Sequence, residues 1–467
     1  MSYHTTNLYH PGAVTMTQRT TPPLPFSSTR RREIHADFSG GDITSDAGTL
    51  LLREADCNLG LIAALDRVIP DPRHPAFTIH PQATLLAQRI FGIAAGYEDL
   101  NDHQRLRDDP LWQVLTDHPS PDEHCQLASP PTLCRFENRV SRRTLMRMAA
   151  VLVDTFVASF KVPPQHLTLD LDATDFEIHG HQERRFFHGY YDSYCFLPLY
   201  IFCGSQLLVA YLRPSKCDAS LHVRAILRLL IARLRAAWPE VRITIRGDSG
   251  FCRWRLMRWC DHNNVSYILG LKRNPVLERL AEPLSQMVED YNRADGRSYR
   301  TYEWCRYQAG TWDRQRRVII KAECLGGITP KSNPRFLVTN IPGDAQELYE
   351  QVYCARGEME NRIKEQGQLF ADRTSCHVFV ANQFRVLLAA TAYVLVDHVR
   401  QVGLGGTELE HAEVRTIRLR LFKIGAWVQR TVRRVLLRMS SGYPGRELFT
   451  TVASRLSGRG PEVIPTG

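Results

Sequence analysis

The sequence has no long hydrophobic run and no closely spaced pair of cysteines. Its longest nearly apolar stretch, residues 386–396, is 11 residues long, whereas a membrane-spanning helix needs about 20. The N-terminus has a Thr- and Pro-rich segment followed by three arginines in place of an apolar signal segment. None of the 12 cysteines forms a Cys-x-x-Cys pair, which argues against a structural zinc site or a disulfide framework. We expect a soluble cytoplasmic protein with no membrane contact.

Lysine is scarce, and acidic residues are sparse near the C-terminus. The chain has 7 lysines against 52 arginines and a formal net charge of +10. From Arg400 to the end, 12 basic residues face 5 glutamates and no aspartate, a net charge of +7. Clustered arginine indicates a polyanionic partner such as DNA, and Arg430, Arg433 and Arg434 are the candidate contacts. A codon bias would explain the Arg-to-Lys ratio but not the clustering.

Changes in periodicity divide the chain into six parts. We predict a flexible arm (1–40), a helical region (41–162), the first part of an α/β core (163–272), a β-rich insertion (273–343), the helices that complete the core (344–402) and a basic C-terminal region (403–467). With 43% hydrophobic residues, the chain is long enough to bury a substantial core.

Some segments repeat their apolar residues every two positions, as strands do, and others every three to four, as helices do. This mixture predicts a mixed α/β sheet. Strands are expected at 166–174, 195–203, 206–212, 241–246, 265–271, 299–308, 317–324 and 335–341, and the alternation at 418–421 is also typical of a strand. Helices are expected at 82–95, 219–238, 254–263, 345–366 and 377–400.

A short helix at 130–136 and a second one beginning at Ser141 are separated by a brief break. Arg135, Arg139, Arg142 and Arg143 lie close to this break. The pair fits a DNA-binding helix-turn-helix and fits an ordinary helical bundle equally well.

Acidic residues stand at three places where structural acids are uncommon. Asp170 and Asp172 are two apart on a predicted strand and therefore share one face. Asp248 follows another predicted strand, at the edge where open α/β sheets place their active sites. On a helix, Glu360 would share one stripe with Tyr353, Arg356 and Lys364, which are spaced by three or four residues.

Carboxylates from two strand ends and a helix suit divalent cations, since Mg²⁺ prefers oxygen ligands. Two such ions can activate an attacking oxygen and stabilise a leaving one in phosphoryl transfer. Each acid taken alone is equally well explained by turn capping or a surface salt bridge. The argument for a metal site is that all three occupy comparable positions in an Arg-rich chain.

The order of these motifs resembles the DDE transposases of bacterial insertion sequences, in particular the group 1 DDE domain of the insertion-sequence 1380 type. The motifs are Asp-Ala-Thr at 172–174, Arg-Gly-Asp-Ser-Gly-Phe at 246–251 and Tyr-x-x-Arg-x-x-x-Glu at 353–360. Further matching segments lie at 45–48, 96–99, 131–133, 179–182, 194–199 and 423–426. The resemblance therefore extends from about residue 40 to 450.

The resemblance implies a ribonuclease-H-like core with a β-strand insertion and an N-terminal region that binds transposon ends. It implies that Asp172, Asp248 and Glu360 hold two Mg²⁺ ions, for which Mn²⁺ can substitute. Asp170, which shares a face with Asp172, is the alternative first acid. The expected partners are double-stranded DNA, as inverted-repeat ends and as target, and a second copy of the chain, since joining requires paired ends. The expected location is the bacterial cytoplasm, at the nucleoid.

The family pattern also implies that Tyr353 and Arg356 contact DNA near the cleaved phosphate. It continues to a lysine seven residues beyond the glutamate, where this chain has Gly367. Lys364, one turn after Glu360, is the candidate replacement. His179 and His181 are interpreted as loop or substrate contacts, because Mg²⁺ sites do not favour imidazole.

Three other functions remain open from the sequence. The same acids would permit a metal-dependent endonuclease without strand transfer, and the chain could be an inactive DNA-binding remnant. A carbohydrate hydrolase using Asp172 and Asp248 as an acid–base pair would leave the basic C-terminus unexplained.

Overall fold

The computed structural model describes residues 24–117, 126–325, 332–431 and 433–458. Within them the chain is a mixed α/β protein built on one eight-stranded sheet with helices on both faces. The mixed α/β class predicted from periodicity is therefore confirmed.

The N-terminal part contains three short strands and a group of helices. Strands β1 (Leu24–Phe26) and β2 (Ile34–Ala36) form a hairpin inside the predicted arm, and β3 (Ile43–Thr44) follows. The helices are α1 (Leu50–Leu59), α2 (Leu61–Val68), α3 (Gln82–Ala95), α4 (His103–Leu106), α5 (Pro110–Leu115), α6 (Pro130–Asn138) and α7 (Arg142–Ala158).

Helices α6 and α7 lie where the sequence predicts them. Pro130 opens α6 at a position that needs no N–H, and the Ser141 hydroxyl caps α7 by accepting from the Thr144 N–H at 3.2 Å. Arg139 pairs with Asp71 at 3.1 Å, whereas Arg142 and Arg143 are exposed on the first turn of α7. The DNA-binding role of this pair of helices remains a prediction.

The strands of the central region supply both the main sheet and a small one. They are β4 (His166–Ala173), β5 (Phe176–Glu177), β6 (Phe186–His188), β7 (Ser193–Phe196), β8 (Leu199–Cys203), β9 (Gln206–Tyr211), β10 (Arg242–Gly247), β11 (Val265–Leu271), β12 (Tyr299–Tyr307), β13 (Arg316–Cys324) and β14 (Arg335–Thr339). The helices between them are α8 (Val223–Ala237), α9 (Trp254–His262) and α10 (Pro275–Asp295).

The main sheet has the order β12-β13-β14-β11-β10-β4-β8-β9. Strands β4, β10 and β11 are parallel, and every other pairing is antiparallel. The three strands of residues 273–343 therefore extend one edge of the core sheet. Because β4 and β10 are parallel neighbours, their carboxyl ends meet at one edge.

One predicted strand is wrong in its extent. Residues 195–203 form two strands, β7 and β8, that separate at Leu197 and Pro198. Proline has no N–H to give to a ladder, and β7 continues into the small sheet β5-β7-β6.

The sheet separates two layers of core. On one face, Leu169 and Leu171 of β4 pack with Leu227 of α8 and Met257 of α9. On the other face lies α13 (Phe379–His398), whose Tyr393 ring is 5.8 Å from that of Phe202. Among the described residues, one helical stretch, Phe379–Leu404, is long and apolar enough to cross a membrane, and 83% of its apolar window is buried inside the protein. A buried core helix passes the same test.

The C-terminal helices are less regular than predicted. They comprise α11 (Ala345–Glu347), a π-helix (Leu348–Tyr353), a 3₁₀ turn (Cys354–Arg356), α12 (Gly357–Gln368), α13 with a π-helical extension (Val399–Leu404), α14 (Val414–Ile417) and a further π-helix (Arg418–Phe422). The strand pattern at 418–421 thus folds as a helix, with Leu421 buried and Leu419 exposed. Strands β15 (Ala426–Arg430) and β16 (Val435–Met439) and helix α15 (Arg446–Ser457) complete the chain.

An N-terminal and a C-terminal part of the described chain are joined around Asp46, which is fully buried. Its carboxylate accepts from Lys423 Nζ at 2.8 Å, from the Tyr97 hydroxyl at 2.7 Å and from Trp112 Nε1 at 3.1 Å. Strand β15 also pairs with β3. The backbone approaches very closely here, since a Cβ added to Gly48 would lie 1.6 Å from the Leu421 carbonyl oxygen.

We expect Gly48→Ala to lower the free energy of unfolding by about 3 kcal/mol or more, because the methyl group would force these two parts of the chain apart. Urea denaturation followed by circular dichroism measures this. Gly442→Ala is the matched control, since a Cβ there meets no atom within 4 Å. Equal stability of the two variants would contradict the close packing.

Candidate active site

Asp172 lies near the carboxyl end of β4, in a half-enclosed position. Its Oδ2 is 2.8 Å from Arg356 Nη2, its Oδ1 accepts from the Ala173 N–H at 2.9 Å, and the side chain is 19% exposed. The pKa of Asp172 is raised to about 6, mainly by burial, with smaller contributions from the carboxylates of Asp248 and Glu360 and against the opposing effects of Arg356 and the Ala173 N–H. Asp248 and Glu360 therefore both lie close enough to Asp172 to influence it by charge.

Asp248 is held by the turn that follows β10. Gly247, the last residue of β10, is level with Leu171 of β4, so the next residue on each strand is an acid. The Asp248 Oδ1 accepts from the Gly250 N–H at 2.9 Å. Gly270 on the neighbouring strand β11 packs closely against this turn. A Cβ added to Gly270 would lie 2.9 Å from the Ser249 nitrogen and 3.1 Å from the Tyr353 hydroxyl, so the position has no room for a side chain.

The segment that carries Glu360 is not the single helix expected over 345–366. A π-helix ends at Tyr353 and a 3₁₀ turn ends at Arg356 before α12 begins at Gly357. The expected stripe of four side chains on one helix is thus wrong in its geometry, although Arg356 and Glu360 still pair, with Arg356 Nη1 3.8 Å from Glu360 Oε1.

The wider turn places Tyr353 against the sheet. Its hydroxyl lies beside Gly270, and burial raises the Tyr353 pKa, with Asp248 and Asp172 adding to the effect against Arg356. The Val352 carbonyl accepts from Arg246 Nη1 at 2.5 Å, which fixes the π-helix to β10. π-Helical turns are rare and often mark functional sites.

Asp170 has a structural partner. Arg246 grips both of its oxygens, with Nε–Oδ1 at 2.5 Å and Nη2–Oδ2 at 2.7 Å, and the pair is nearly fully buried. Of the two acids on this face of β4, Asp172 is therefore the one that faces Arg356 and the other two acids.

A buried ionic network fixes helix α12 to the end of α13 and the π-helix that follows it. Glu365 pairs with Arg400 at 2.6 Å and with Arg362 at 3.2 Å, and Arg400 also pairs with Asp397 at 2.8 Å. Glu365 and Arg400 are each less than 5% exposed. Five residues earlier on the same helix, Glu360 is 61% exposed.

The donor set fits a hard divalent cation, because it consists of carboxylate oxygens and because burial, with a smaller contribution from the two other carboxylates, makes the charged form of Asp172 costly without a cation. Within the described ranges, however, no group of three or more Asp, Glu, His or Cys side chains has the spacing of a formed metal site. In this arrangement the Arg356 guanidinium is the cation between Asp172 and Glu360.

The other candidates are exposed or pair with residues other than the three acids. Lys364 is exposed on α12. His179 is exposed, and the His181 ring accepts from Arg185 at 2.8 Å, so both belong to the loop after β5. Arg430 donates to Gln113 of α5 at 2.5 Å, and Arg433 and Arg434 are exposed in the turn between β15 and β16.

Sequence reasoning missed a cluster of exposed aromatic side chains between β6 and β7. Phe187, Tyr190 and Tyr194 are 55%, 85% and 47% exposed. Four tyrosines and phenylalanines within residues 186–191 were a visible signal.

Comparison with known proteins identifies the class. The sequence model of the family described as "Transposase DDE domain group 1" matches residues 26–460. The protein is therefore a DDE transposase by class. More narrowly, it belongs to group 1 of the DDE domain family, as the motif order predicts, and this argues against a carbohydrate hydrolase. No curated protein matches the sequence.

A solved structure also aligns with the chain. It is a cryo-EM structure of the piggyBac transposase synaptic complex with hairpin DNA, at 10% sequence identity and a TM-score of 0.39, covering 89% of this chain and 81% of that one. A likeness at this TM-score supports no conclusion about the present protein.

The raised pKa of Asp172 predicts a pH-dependent cost of folding in metal-free buffer. Because the folded state holds the Asp172 proton more tightly than the unfolded state, this contribution to stability is present below about pH 4 and is lost as the pH rises through about 6. Relative to Asp172→Asn, the wild-type free energy of unfolding should fall by roughly 2–3 kcal/mol between pH 4 and pH 7. Urea denaturation with EDTA measures it.

Arg356→Gln provides the contrast. Removing the guanidinium that stabilises the charged form should move the titration of Asp172 to higher pH. A difference between wild type and Asp172→Asn that does not vary with pH would contradict the raised pKa of Asp172.

Proposed function

We propose that the protein is a cut-and-paste transposase of a bacterial insertion sequence of the 1380 type, with a ribonuclease-H-like core. It binds terminal inverted repeats, cleaves the ends of its element and joins them to target DNA. The observation that carries this proposal is the placement of Asp172 and Asp248 at the neighbouring carboxyl ends of β4 and β10, with Arg356 pairing both Asp172 and Glu360.

Asp172, Asp248 and Glu360 are the residues that would hold divalent metal, and we expect two Mg²⁺ ions, with Mn²⁺ as a substitute. Two ions at such a site activate the attacking oxygen and stabilise the leaving oxygen of a phosphodiester. In this proposal water attacks the phosphodiester at the end of the element, which releases a 3′-hydroxyl. That 3′-hydroxyl then attacks a phosphodiester of the target DNA.

The residues around the acids are suited to a phosphate. Arg356 has a buried Nε without a hydrogen-bond partner among the described residues, and its side chain is 12% exposed. Guanidinium groups bind phosphate oxygens through two parallel N–H donors. We propose that Arg356 and Tyr353 orient the scissile phosphate and that Lys364 contacts the adjacent backbone.

Binding of the DNA ends is assigned to two surfaces away from the acids. One is the basic hairpin, residues 426–439 (β15, β16 and their turn), with Arg430, Arg433 and Arg434. The other comprises the exposed first turn of α7 within the helical region 41–162. Because joining requires two ends, we propose a dimer on DNA, acting in the bacterial cytoplasm at the nucleoid.

We expect Asp172→Asn, Asp248→Asn and Glu360→Gln each to abolish metal-dependent cleavage, since every carboxylate is needed to hold the ions. The assay follows supercoiled donor plasmid carrying the element's own ends, with Mg²⁺ or Mn²⁺. Gel-shift affinity for the same ends should change less than about threefold.

Glu358→Gln is the matched control, because Glu358 lies on the same turn of α12 but pairs with Arg362 instead of Arg356. Cleavage that persists in all three acid variants would refute the metal triad. With pre-cut ends and target plasmid, cleaved target without joined products would identify a plain endonuclease, and no cleavage by wild type would identify an inactive remnant.

The basic hairpin should contribute to DNA affinity mainly by charge. We expect the double variant Arg433→Ala, Arg434→Ala to weaken binding of duplex DNA and to reduce the slope of log affinity against log salt by about 2, since two phosphate contacts are lost. Fluorescence anisotropy over a salt series measures both quantities. Arg228→Ala, on the exposed side of α8, is the control, and an unchanged slope in the double variant would show that these charges do not contact DNA.

A further inference from the structure

The segment between β4 and β8, which contains β5, β6 and β7, exposes several aromatic side chains to solvent. The aromatic hairpin, residues 186–194 (β6, its turn and the start of β7), exposes four aromatic side chains. Isolated exposed apolar residues are common, but contiguous groups usually mark a binding site. The four exposed rings are Phe186, Phe187, Tyr190 and Tyr194.

The rings are ordered by one another. Phe187 and Tyr194 are opposite each other on β6 and β7, with ring centroids 5.7 Å apart. At the tip, the Tyr191 N–H donates to the His188 carbonyl at 3.1 Å, and Tyr190 and Tyr191 have centroids 5.0 Å apart. The hairpin therefore holds two packed ring pairs, Phe187 with Tyr194 and Tyr190 with Tyr191, while Phe186 lies on the opposite face of β6.

Cations lie over two of these rings. The Arg185 guanidinium is 4.7 Å from the Tyr194 centroid, and its nitrogens are tied to the Gly180 carbonyl and to His181. Lys216 Nζ is 5.6 Å from the Phe186 centroid. Ring faces flanked by positive charge match a ligand that has both flat π-systems and phosphates.

Strand pairing connects the aromatic hairpin to the strand that carries Asp172. Asp172 pairs with Tyr200 between β4 and β8, and four residues further along the same two chain segments Phe176 pairs with Phe196 between β5 and β7. At about 3.3 Å per residue, the Phe176–Phe196 pair is at most roughly 13 Å from Asp172, and the hairpin begins two residues beyond it, at Tyr194. The Tyr191 hydroxyl also feels Asp175 and Asp172, which add to burial in raising its pKa to about 12.

We propose that the aromatic hairpin stacks unpaired nucleobases of the DNA strand whose phosphate lies at Asp172, Asp248 and Glu360. The proposal rests on the proposed function and specifies the state of its substrate, a strand with bases out of the duplex. A paired base keeps both faces inside the helix, whereas an unpaired base offers a free face to an aromatic ring.

The test measures binding without metal or cleavage, so it can fail independently of the catalytic proposal. Fluorescein-labelled oligothymidylate, an abasic oligomer of the same length and a duplex are titrated with the full chain, and anisotropy is recorded. Tyr190→Ala and Phe187→Ala should each weaken oligothymidylate binding about tenfold. Binding of the duplex and of the abasic oligomer should change less than about twofold.

Conservative variants and a distant aromatic separate stacking from other effects. Tyr190→Phe should bind as wild type, since stacking needs the ring and not the hydroxyl. Phe77→Ala, which removes an equally exposed ring near α3, should also bind as wild type. Loss of affinity that is equal for the abasic oligomer, or no loss at all, would overturn the proposal. Unchanged affinity with loss of a dimer in light scattering would assign the surface to a second copy of the chain.

Discussion

The candidate site depends on the buried ion pair between Arg246 and Asp170. Through this pair one guanidinium joins β10 to β4 and, by its bond to the Val352 carbonyl, holds the π-helix that leads to α12. Breaking a buried ion pair by removing one partner typically costs about 3–5 kcal/mol, because it leaves a charge without compensation. The three segments that carry Asp172, Asp248 and Glu360 are thus tied together one layer beneath the acids, in a part of the sheet closed to water.

Above this pair, Arg356 lies between Asp172 and Glu360 and pairs with both. Asp172 is largely buried and close to Arg356, whereas Glu360 is mostly exposed and only 3.8 Å from the same guanidinium. An exposed pair at such a distance contributes little to stability. The firm contact of Arg356 is therefore with Asp172, where burial and the two other carboxylates oppose ionisation. Glu360 is the acid that loses the least free energy when it leaves Arg356 for another partner.

The sequence predicts the strands of the site well and its helical segment poorly. Buried strands such as β4, β10 and β11 follow from short apolar runs, and the position of an acid at the carboxyl ends of β4 and β10 needs no further information. The π-helix before α12 depends on Arg246, which is remote in sequence and whose bond to Val352 cannot be read from local periodicity. The strand predicted from the alternation at 418–421 is wrong for the same kind of reason, because residues 418–422 pack against the rest of the protein as a helix that buries Leu421. The pairing of Phe187 with Tyr194 could not be predicted either, because it depends on the register between β6 and β7.

Six of the nine segments shared with the family divide into two physical groups. Those around 172, 248 and 353–360 surround the acids. Those at 45–48, 96–99 and 423–426 instead converge on Asp46, where Lys423 lies 4.0 Å over the Tyr97 ring and donates to the buried carboxylate. A buried acid with three donors is a joint between an N-terminal and a C-terminal part of the chain, and the close approach at Gly48 serves the same joint. A motif resemblance over the whole chain therefore identifies the family, while the role of each motif follows only from what its side chains touch.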